Sequence, residues 1–196
     1  MKNIVILGSS FAGVSTAHRL LKQAPKTGDV KVTLVGPNTH IFWNLAAPRA
    51  IVPGQFSDEK IFGAIAPGFK QYTADRFEFL LGTAERLDLD SKNVFVATGK
   101  GEKVIGYDIL ILATGTRTKG DIPFKGRGSY EATRDALHDF QSKVKKANSI
   151  VVGGAGATGV ETAGELAFEY GKQKTITLVC FHSSRSAMSP IFLGDC

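Results

Sequence analysis

Two glycine-rich turns with the same spacing are the residues of this chain best suited to chemistry. The first fingerprint runs from Gly8 to Gly13 and the second fingerprint from Gly154 to Gly159. Each follows an apolar run typical of a buried strand and precedes a stretch typical of a helix. In that setting the first glycine allows a tight turn, the second lets the backbone approach a pyrophosphate, and the third lets helix and strand pack closely. The phosphates then lie at the positive end of the helix, so the two motifs predict two bound dinucleotides.

The two fingerprints differ at their second position. Ser10 stands there in the first fingerprint, whereas Gly156 keeps the usual glycine in the second. A serine side chain narrows the approach of the backbone, but its hydroxyl could donate a hydrogen bond to a phosphate oxygen. A glycine-rich turn without a ligand is the alternative for either motif alone. The presence of two such motifs in one chain favours dinucleotide binding over a turn without a ligand.

The pattern around the fingerprints predicts an α/β fold with two Rossmann-like units and a small antiparallel element near residues 77–106. Segments 77–82 and 93–96 are expected to be its antiparallel strands, and segment 107–116 a central parallel strand. Segment 118–128 is rich in glycine and charge and is interpreted as a linker. We therefore expect one binding domain over residues 1–120 and a second, partial one over residues 121–196. Further strands are predicted at 3–7, 30–35, 149–153 and 175–179, and helices at 14–22, 131–147 and 160–168.

Composition and charge narrow the class of protein. The chain has 196 residues, is 43% hydrophobic and carries a net charge of +6. No apolar run reaches the roughly 18 residues of a membrane span, so none is expected. The first predicted strand begins close to Met1, so we expect no cleavable leader. Nucleic acid is not an expected partner, because no stacking aromatics or recognition motif accompany the basic residues. Anionic cofactors explain the charge better.

The cysteines indicate a reducing environment. Cys180 and Cys196 are too few for a disulfide framework, and their spacing is unlike that of paired redox cysteines. We therefore expect a cytoplasmic protein, or one at the periphery of a mitochondrial or other organelle membrane. We expect no bound metal.

Longer motifs add a family resemblance. The segment ending in Ala113-Thr114-Gly115 resembles a strand-end signature of the two-dinucleotide flavoproteins, the pyridine nucleotide-disulfide oxidoreductase superfamily, and segment 151–166 resembles its nicotinamide signature. Within the superfamily, segments 32–38 and 44–50 are similar to the flavin-side loop of the apoptosis-inducing-factor-like and ferroptosis-suppressor-like group. The resemblance extends from residue 1 to about residue 179.

The resemblance implies a function. FAD would bind at the first fingerprint and NADH or NADPH at the second, with hydride passing from nicotinamide to flavin and on to a quinone-like acceptor or oxygen. Glu161 would face the flavin–nicotinamide junction as the catalytic candidate; an equally weighted alternative is a carboxylate that only stabilises the helix start. The cofactor-binding candidates are Gly8, Ser10, Phe11, Ala12, Gly13, Asn38, Asn44, Arg49, Ala84, Ala113, Thr114, Gly115, Gly154, Gly156, Thr158 and Gly159.

The region after the second predicted strand departs from the usual pattern. An acidic residue commonly ends this strand and binds the ribose hydroxyls, but Gly36 stands there. Asn38 could supply an amide contact instead. Segment 40–54 is too irregular for a strand and too apolar for a free linker. Trp43 lies in it with Asn44 and Arg49, which favours a flavin lining over a surface loop packed on the core.

The alternative functions depend on how the chain ends. The superfamily pattern stops after 175–179, so we expect a chain that is truncated or internally deleted. A catalytically inactive fragment that binds only a nucleotide or a partner is therefore the alternative function. A dehydrogenase using nicotinamide alone is disfavoured by the duplicated fingerprint. Arg185, with no acidic residue nearby, predicts that NADPH is tolerated at least as well as NADH.

Overall fold

The computed structural model describes residues 1–25, 30–120, 122–180 and 189–192. Strands are β1 (Lys2–Leu7), β2 (Val30–Gly36), β3 (His40–Phe42), β4 (Phe62–Ala64), β5 (Phe77–Leu81), β6 (Thr83–Asp88), β7 (Asn93–Thr98), β8 (Gly101–Gly106), β9 (Ile109–Leu112), β10 (Ser149–Gly153), β11 (Thr175–Cys180) and β12 (Ser189–Phe192). Helices are α1 (Phe11–Gln23), α2 (Ala47–Ala50), α3 (Asp58–Ile61), α4 (Tyr130–Lys146) and α5 (Ala157–Tyr170), with 3-10 turns at Asn44–Ala46 and Ala66–Phe69.

The chain forms two compact units that are discontinuous in sequence. The first unit comprises Met1–Phe42, Phe62–Arg117 and Gly126–Tyr130, and the second comprises Trp43–Ile61, Thr118–Lys125 and Glu131–Cys196. The second unit thus includes residues 43–61, which lie early in the chain. The division of binding domains at residue 120 stays a prediction.

A four-stranded parallel sheet organises the first unit. Its order is β5-β2-β1-β9, and each neighbouring pair is parallel. Side chains of β1 alternate between the two faces of the sheet. Ile6 belongs to a buried cluster with Leu21 of α1 on one face, and Val5 to another with Val94 of β7 on the opposite face. The predicted α/β architecture is therefore confirmed, with a helix on one side and an antiparallel sheet on the other.

The antiparallel sheet contains β6, β7 and β8. It is joined to the parallel sheet by Glu78 of β5, whose carboxylate accepts hydrogen bonds from Lys103 Nζ at 2.6 Å and Lys31 Nζ at 3.0 Å. Hydrogen bonds from these two ammonium groups hold the pKa of Glu78 below its ordinary value. The carboxylate thus remains charged where β8, β5 and β2 approach one another.

Two strand predictions in the first unit are wrong. Phe77–Leu81 pairs in parallel with β2 rather than antiparallel with a neighbour in sequence. Its side chains pack against apolar clusters on both faces, Phe79 on one and Leu80 on the other, which is typical of a parallel strand. Ile109–Leu112 is an outer strand of the described sheet, not a central one, because β1 lies between it and β2.

The prediction of an irregular segment over residues 40–54 is wrong at its beginning. His40–Phe42 forms a short strand paired antiparallel with Phe62–Ala64. Aromatic side chains stabilise this pair, since Phe42 stacks on Phe62 with ring centroids 5.2 Å apart. Its partner lies 20 residues away in sequence, which local patterning does not reveal.

The second unit repeats the strand–turn–helix arrangement. β10 and β11 are parallel, and β12 pairs antiparallel with β11. Leu166 of α5 is buried, and α5 packs against β10 and β11. The small helix α2 also packs against α5. The second predicted βα unit is therefore confirmed.

Arg76 provides a test of how the first unit is stabilised. Its Nη2 donates to the carbonyl oxygens of Leu21 and Ala24, at 3.0 and 3.3 Å, and so satisfies acceptors at the end of α1. We expect Arg76→Ala to lower the free energy of unfolding by about 1–3 kcal/mol. The exposed Arg19→Ala on the same helix is the control, with an expected change within about 0.5 kcal/mol. Equal urea midpoints for the two variants would contradict this role.

Candidate functional site

The first fingerprint is a tight turn between β1 and α1. Gly8 has φ +114°, a backbone conformation that residues with a side chain rarely adopt. Its N–H donates to the Val35 carbonyl at 2.8 Å. A Cβ at Gly8 would overlap the Ala113 carbonyl group. The fold itself therefore requires glycine at the start of this turn.

Gly13 brings the helix onto the strand end. A Cβ at this position would overlap the Gly8 carbonyl oxygen and lie 3.4 Å from Leu34 Cδ1. The third glycine thus allows the close helix–strand contact that the motif predicts. Because of this contact, α1 begins directly at the carboxyl end of β1.

The second fingerprint has the same local geometry in the second unit. Gly154 has φ +101°, and its N–H donates to the Val179 carbonyl at 2.8 Å. A Cβ at Gly159 would overlap the Gly154 carbonyl oxygen. The duplicated motif is therefore a duplicated turn, confirmed in both units as a link between a strand end and a helix start.

The second position of each fingerprint is not constrained by the protein. Gly156 has φ −74°, and a Cβ there would meet no atom within 4 Å. Ser10 is exposed, with φ −109° and no side-chain capping bond. The fold therefore tolerates a side chain at both positions. The space before each helix start can thus take a ligand.

The electrostatics of both helix starts favour an anion. α1 has 13 residues and α5 has 14, and neither carries an acidic side chain in its first turn. The helix dipole and the free N–H groups at such a start stabilise phosphate oxygens. Phe11, Ala12 and Thr158 are exposed there. The residues present therefore fit a dinucleotide pyrophosphate at each turn.

The predicted strand-end motif lies beside the first fingerprint. Ala113 N–H donates to the Leu7 carbonyl at 2.7 Å, and the Ala113 carbonyl group lies against Gly8. Thr114 and Gly115 follow in exposed positions, and Gly115 has φ +65°. The structure thus brings these three candidates together with Gly8 at one edge of the sheet.

Other cofactor-binding candidates lie apart from the turns. Asn38 is half-buried in the loop after β2. Ala84 is half-buried in β6 and packs against the apolar cluster that contains Val5 and Val94. Contact of either side chain with a cofactor stays a prediction.

Asn44 and Arg49 belong to the second unit, where protein groups bind both side chains. Asn44 Nδ2 donates to the Phe124 carbonyl at 3.5 Å. Arg49 donates to Glu165 Oε2 of α5 at 3.2 Å and to Gln55 Oε1 at 3.0 Å. The bond between Arg49 and Glu165 attaches segment 43–61 to α5. A flavin-lining role for the segment stays a prediction.

The catalytic candidate Glu161 is exposed on α5, one residue beyond the first turn. Its catalytic role stays a prediction. The specificity residue Arg185 lies outside the described residues, as does Cys196. Within the part of the chain that the structure describes, no group of His, Cys, Asp and Glu could hold a metal. Over the same residues, no helix has the length and apolarity to cross a membrane.

Sequence reasoning missed one contact beside the first fingerprint. Ser9 is only 7% exposed, and a Cβ on Gly36 would overlap its hydroxyl oxygen and lie 2.5 Å from its Cβ. The signal was present, because Leu7 pairs with Val35 and the residues that follow are neighbours. Two small residues at the carboxyl ends of adjacent parallel strands indicate such a close approach.

The fold and both turns agree with comparison to known families. The profile of the pyridine nucleotide-disulphide oxidoreductase family matches residues 2–184. The chain therefore belongs to this family, and the predicted resemblance is confirmed.

Two curated relatives illustrate the relationship. Oxidoreductase ptaL of Pestalotiopsis fici is 56% identical over 91% of this chain and 49% of its own length. Human ferroptosis suppressor protein 1 is 30% identical over 90% of this chain and 43% of its own length. The chain thus spans about half the length of the curated relatives that it matches.

A solved structure supports the fold. The water-forming NADH oxidase of Lactobacillus brevis, bound to NADH, has a TM-score of 0.66 and 21% identity, and the match covers 91% of this chain and 39% of that one. At this identity the likeness establishes the fold alone.

Matched serine substitutions test the unequal constraints on the second fingerprint. Gly159→Ser is expected to lower the free energy of unfolding by about 1–3 kcal/mol, because the new side chain overlaps the Gly154 carbonyl. Gly156→Ser adds a good N-cap residue in open space, so its stability should match or exceed that of the wild type. Thermal melting of both variants measures the difference, and equal losses would contradict the assignment.

Proposed function

We propose that this chain supplies the FAD-binding and NAD(P)H-binding units of a flavin-dependent NAD(P)H oxidoreductase. The observation that carries the proposal is the shared geometry of the two fingerprints, each with an open, acid-free helix start. Membership of an oxidoreductase family supports it. The acceptor is proposed to be a quinone-like molecule or oxygen. A cytoplasmic or membrane-peripheral location remains part of the proposal.

The residues of this chain would bind and orient the two dinucleotides. The backbone from Gly8 to Gly13 would hold the FAD pyrophosphate, and that from Gly154 to Gly159 the nicotinamide dinucleotide pyrophosphate. FAD, when bound, accepts hydride from nicotinamide and passes electrons to the acceptor. The protein contributes alignment and exclusion of water rather than a covalent step. Glu161, near the start of α5, would act on the nicotinamide side.

The neighbour bound to NADH supports the choice of ligand class for the second unit. The backbone at Gly156 supports it independently, since glycine there leaves room that the fold does not use. Ser10 fills the equivalent position of the first unit with a hydroxyl, which can donate to a phosphate oxygen.

Flavin retention tests the first site. The purified chain is expected to be yellow, and anaerobic NADH or NADPH should bleach its visible flavin band. Gly13→Leu should abolish retained FAD, because a large side chain separates α1 from Gly8, whereas Ser10→Gly should retain it. Gly63→Leu is the control, since a Cβ at Gly63 would meet no atom within 4 Å.

Circular dichroism should accompany the flavin measurement, so that loss of FAD is compared between folded proteins. Equal flavin content in Gly13→Leu and wild type would contradict the assignment. A folded wild-type chain that takes up neither dinucleotide would instead support an inactive fragment that binds only a partner.

Nicotinamide preference tests the second site. β11, Thr175–Cys180, carries no acidic residue to bind the ribose 2′-hydroxyl of NADH or to repel a 2′-phosphate. We expect NADPH to reduce the flavin at least as well as NADH. Arg185→Ala should weaken NADPH binding by about tenfold and leave NADH binding unchanged. Titration of both cofactors measures this, and tight NADH binding with NADPH excluded would contradict it.

A further inference from the structure

We infer that Ser9 takes the place of the carboxylate that usually binds the adenosine ribose of a dinucleotide at the first fingerprint. The inference rests on the proposed binding of FAD there. In related folds an acidic residue about 20 positions after the glycine motif binds the ribose hydroxyls from the end of the second strand. In this chain that strand ends at Gly36, which has no side chain.

The space for an acidic side chain is already filled. Gly36 is buried, and a Cβ built on it would overlap Ser9 Oγ, 2.5 Å from Ser9 Cβ and 3.1 Å from the Ser9 amide nitrogen. Any larger residue at position 36 must therefore displace Ser9. Positions 9 and 36 therefore form a matched pair, because the space between them holds the side chain of only one of the two residues.

Ser9 also lies at the appropriate edge of the sheet. It follows β1 by two residues, and Gly36 ends β2, so the Ser9 hydroxyl lies where the carboxyl ends of the two parallel strands meet. Dinucleotides bind in the crevice outside these strand ends. Asn38 is two residues further along the loop, whereas the atoms nearest to a Cβ on Gly36 all belong to Ser9.

The chemistry of the hydroxyl suits the role. A serine hydroxyl donates one hydrogen bond and accepts others, so it can pair with a ribose hydroxyl as a carboxylate would. The bond is weaker because neither partner is charged. Ser9 is 7% exposed, so the bond would form away from most of the solvent.

The inference is tested by isothermal titration of the deflavinated full chain with FAD, which gives the dissociation constant. Thermal melting of the same variants shows whether they are folded. Ser9→Ala is expected to raise the FAD dissociation constant about five- to tenfold, the loss of one hydrogen bond, without lowering the melting temperature. Ser15→Ala, an exposed change on α1, is the matched control and should bind FAD as the wild type does.

A pair of further variants tests the steric match. Gly36→Asp alone should weaken FAD binding more than Ser9→Ala does, because its side chain collides with Ser9. Combining it with Ser9→Gly frees the space and restores a carboxylate, so binding should return to within about threefold of the wild type. This rescue is not expected of a residue with a merely structural role.

Two results would overturn the inference while leaving the proposed function intact. One is wild-type FAD affinity in Ser9→Ala, and the other is a double variant that binds no better than Gly36→Asp in a chain whose wild type takes up FAD. Failure of the wild type itself to take up FAD would overturn the proposed function, and the inference with it.

Discussion

The close approach of a helix to the strand before it is the constraint on which both units depend. In each fingerprint the third glycine lies against the carbonyl group of the first, and no side chain fits between them. This contact fixes where the helix begins and directs its free N–H groups into open space. The residue that lets helix and strand pack closely therefore also forms the turn at which we propose that phosphate binds.

The rest of the first unit supports that turn from two sides. β2 supplies the carbonyl that accepts from Gly8, and β9 brings the Ala113 carbonyl group against the same glycine. The antiparallel sheet covers the opposite face of the parallel sheet and is joined to it through Glu78. In the second unit a Cβ at Gly154 would meet no atom within 4 Å. Among the described residues, that turn therefore has no counterpart of the Ala113 carbonyl group that lies against Gly8.

Sequence patterning predicted the parts of the fold whose signals are local. Both fingerprints, their strands and their helices follow from glycine spacing and apolar runs, and they are the greater part of the candidate site. Parallel pairing of Phe77–Leu81 and the pairing of His40–Phe42 with Phe62–Ala64 depend on distant partners. The contact of Ser9 with Gly36 and the ion pair of Arg49 with Glu165 likewise join residues far apart in sequence. Local periodicity carries no information about such pairs.

The grouping of residues 43–61 with the second unit has a consequence for the order of folding during synthesis. The last residue of the first unit is Tyr130, so the core of this unit can close once Tyr130 has left the ribosome. Segment 43–61 was made much earlier, yet Arg49 pairs with Glu165, 116 positions later. The partners of this segment therefore emerge in stages, since Gln141 of α4, which donates to the Ala50 carbonyl, is made before Glu165 of α5. Until both helices have emerged, the apolar side chains of the segment lack part of their packing and are exposed to chaperones.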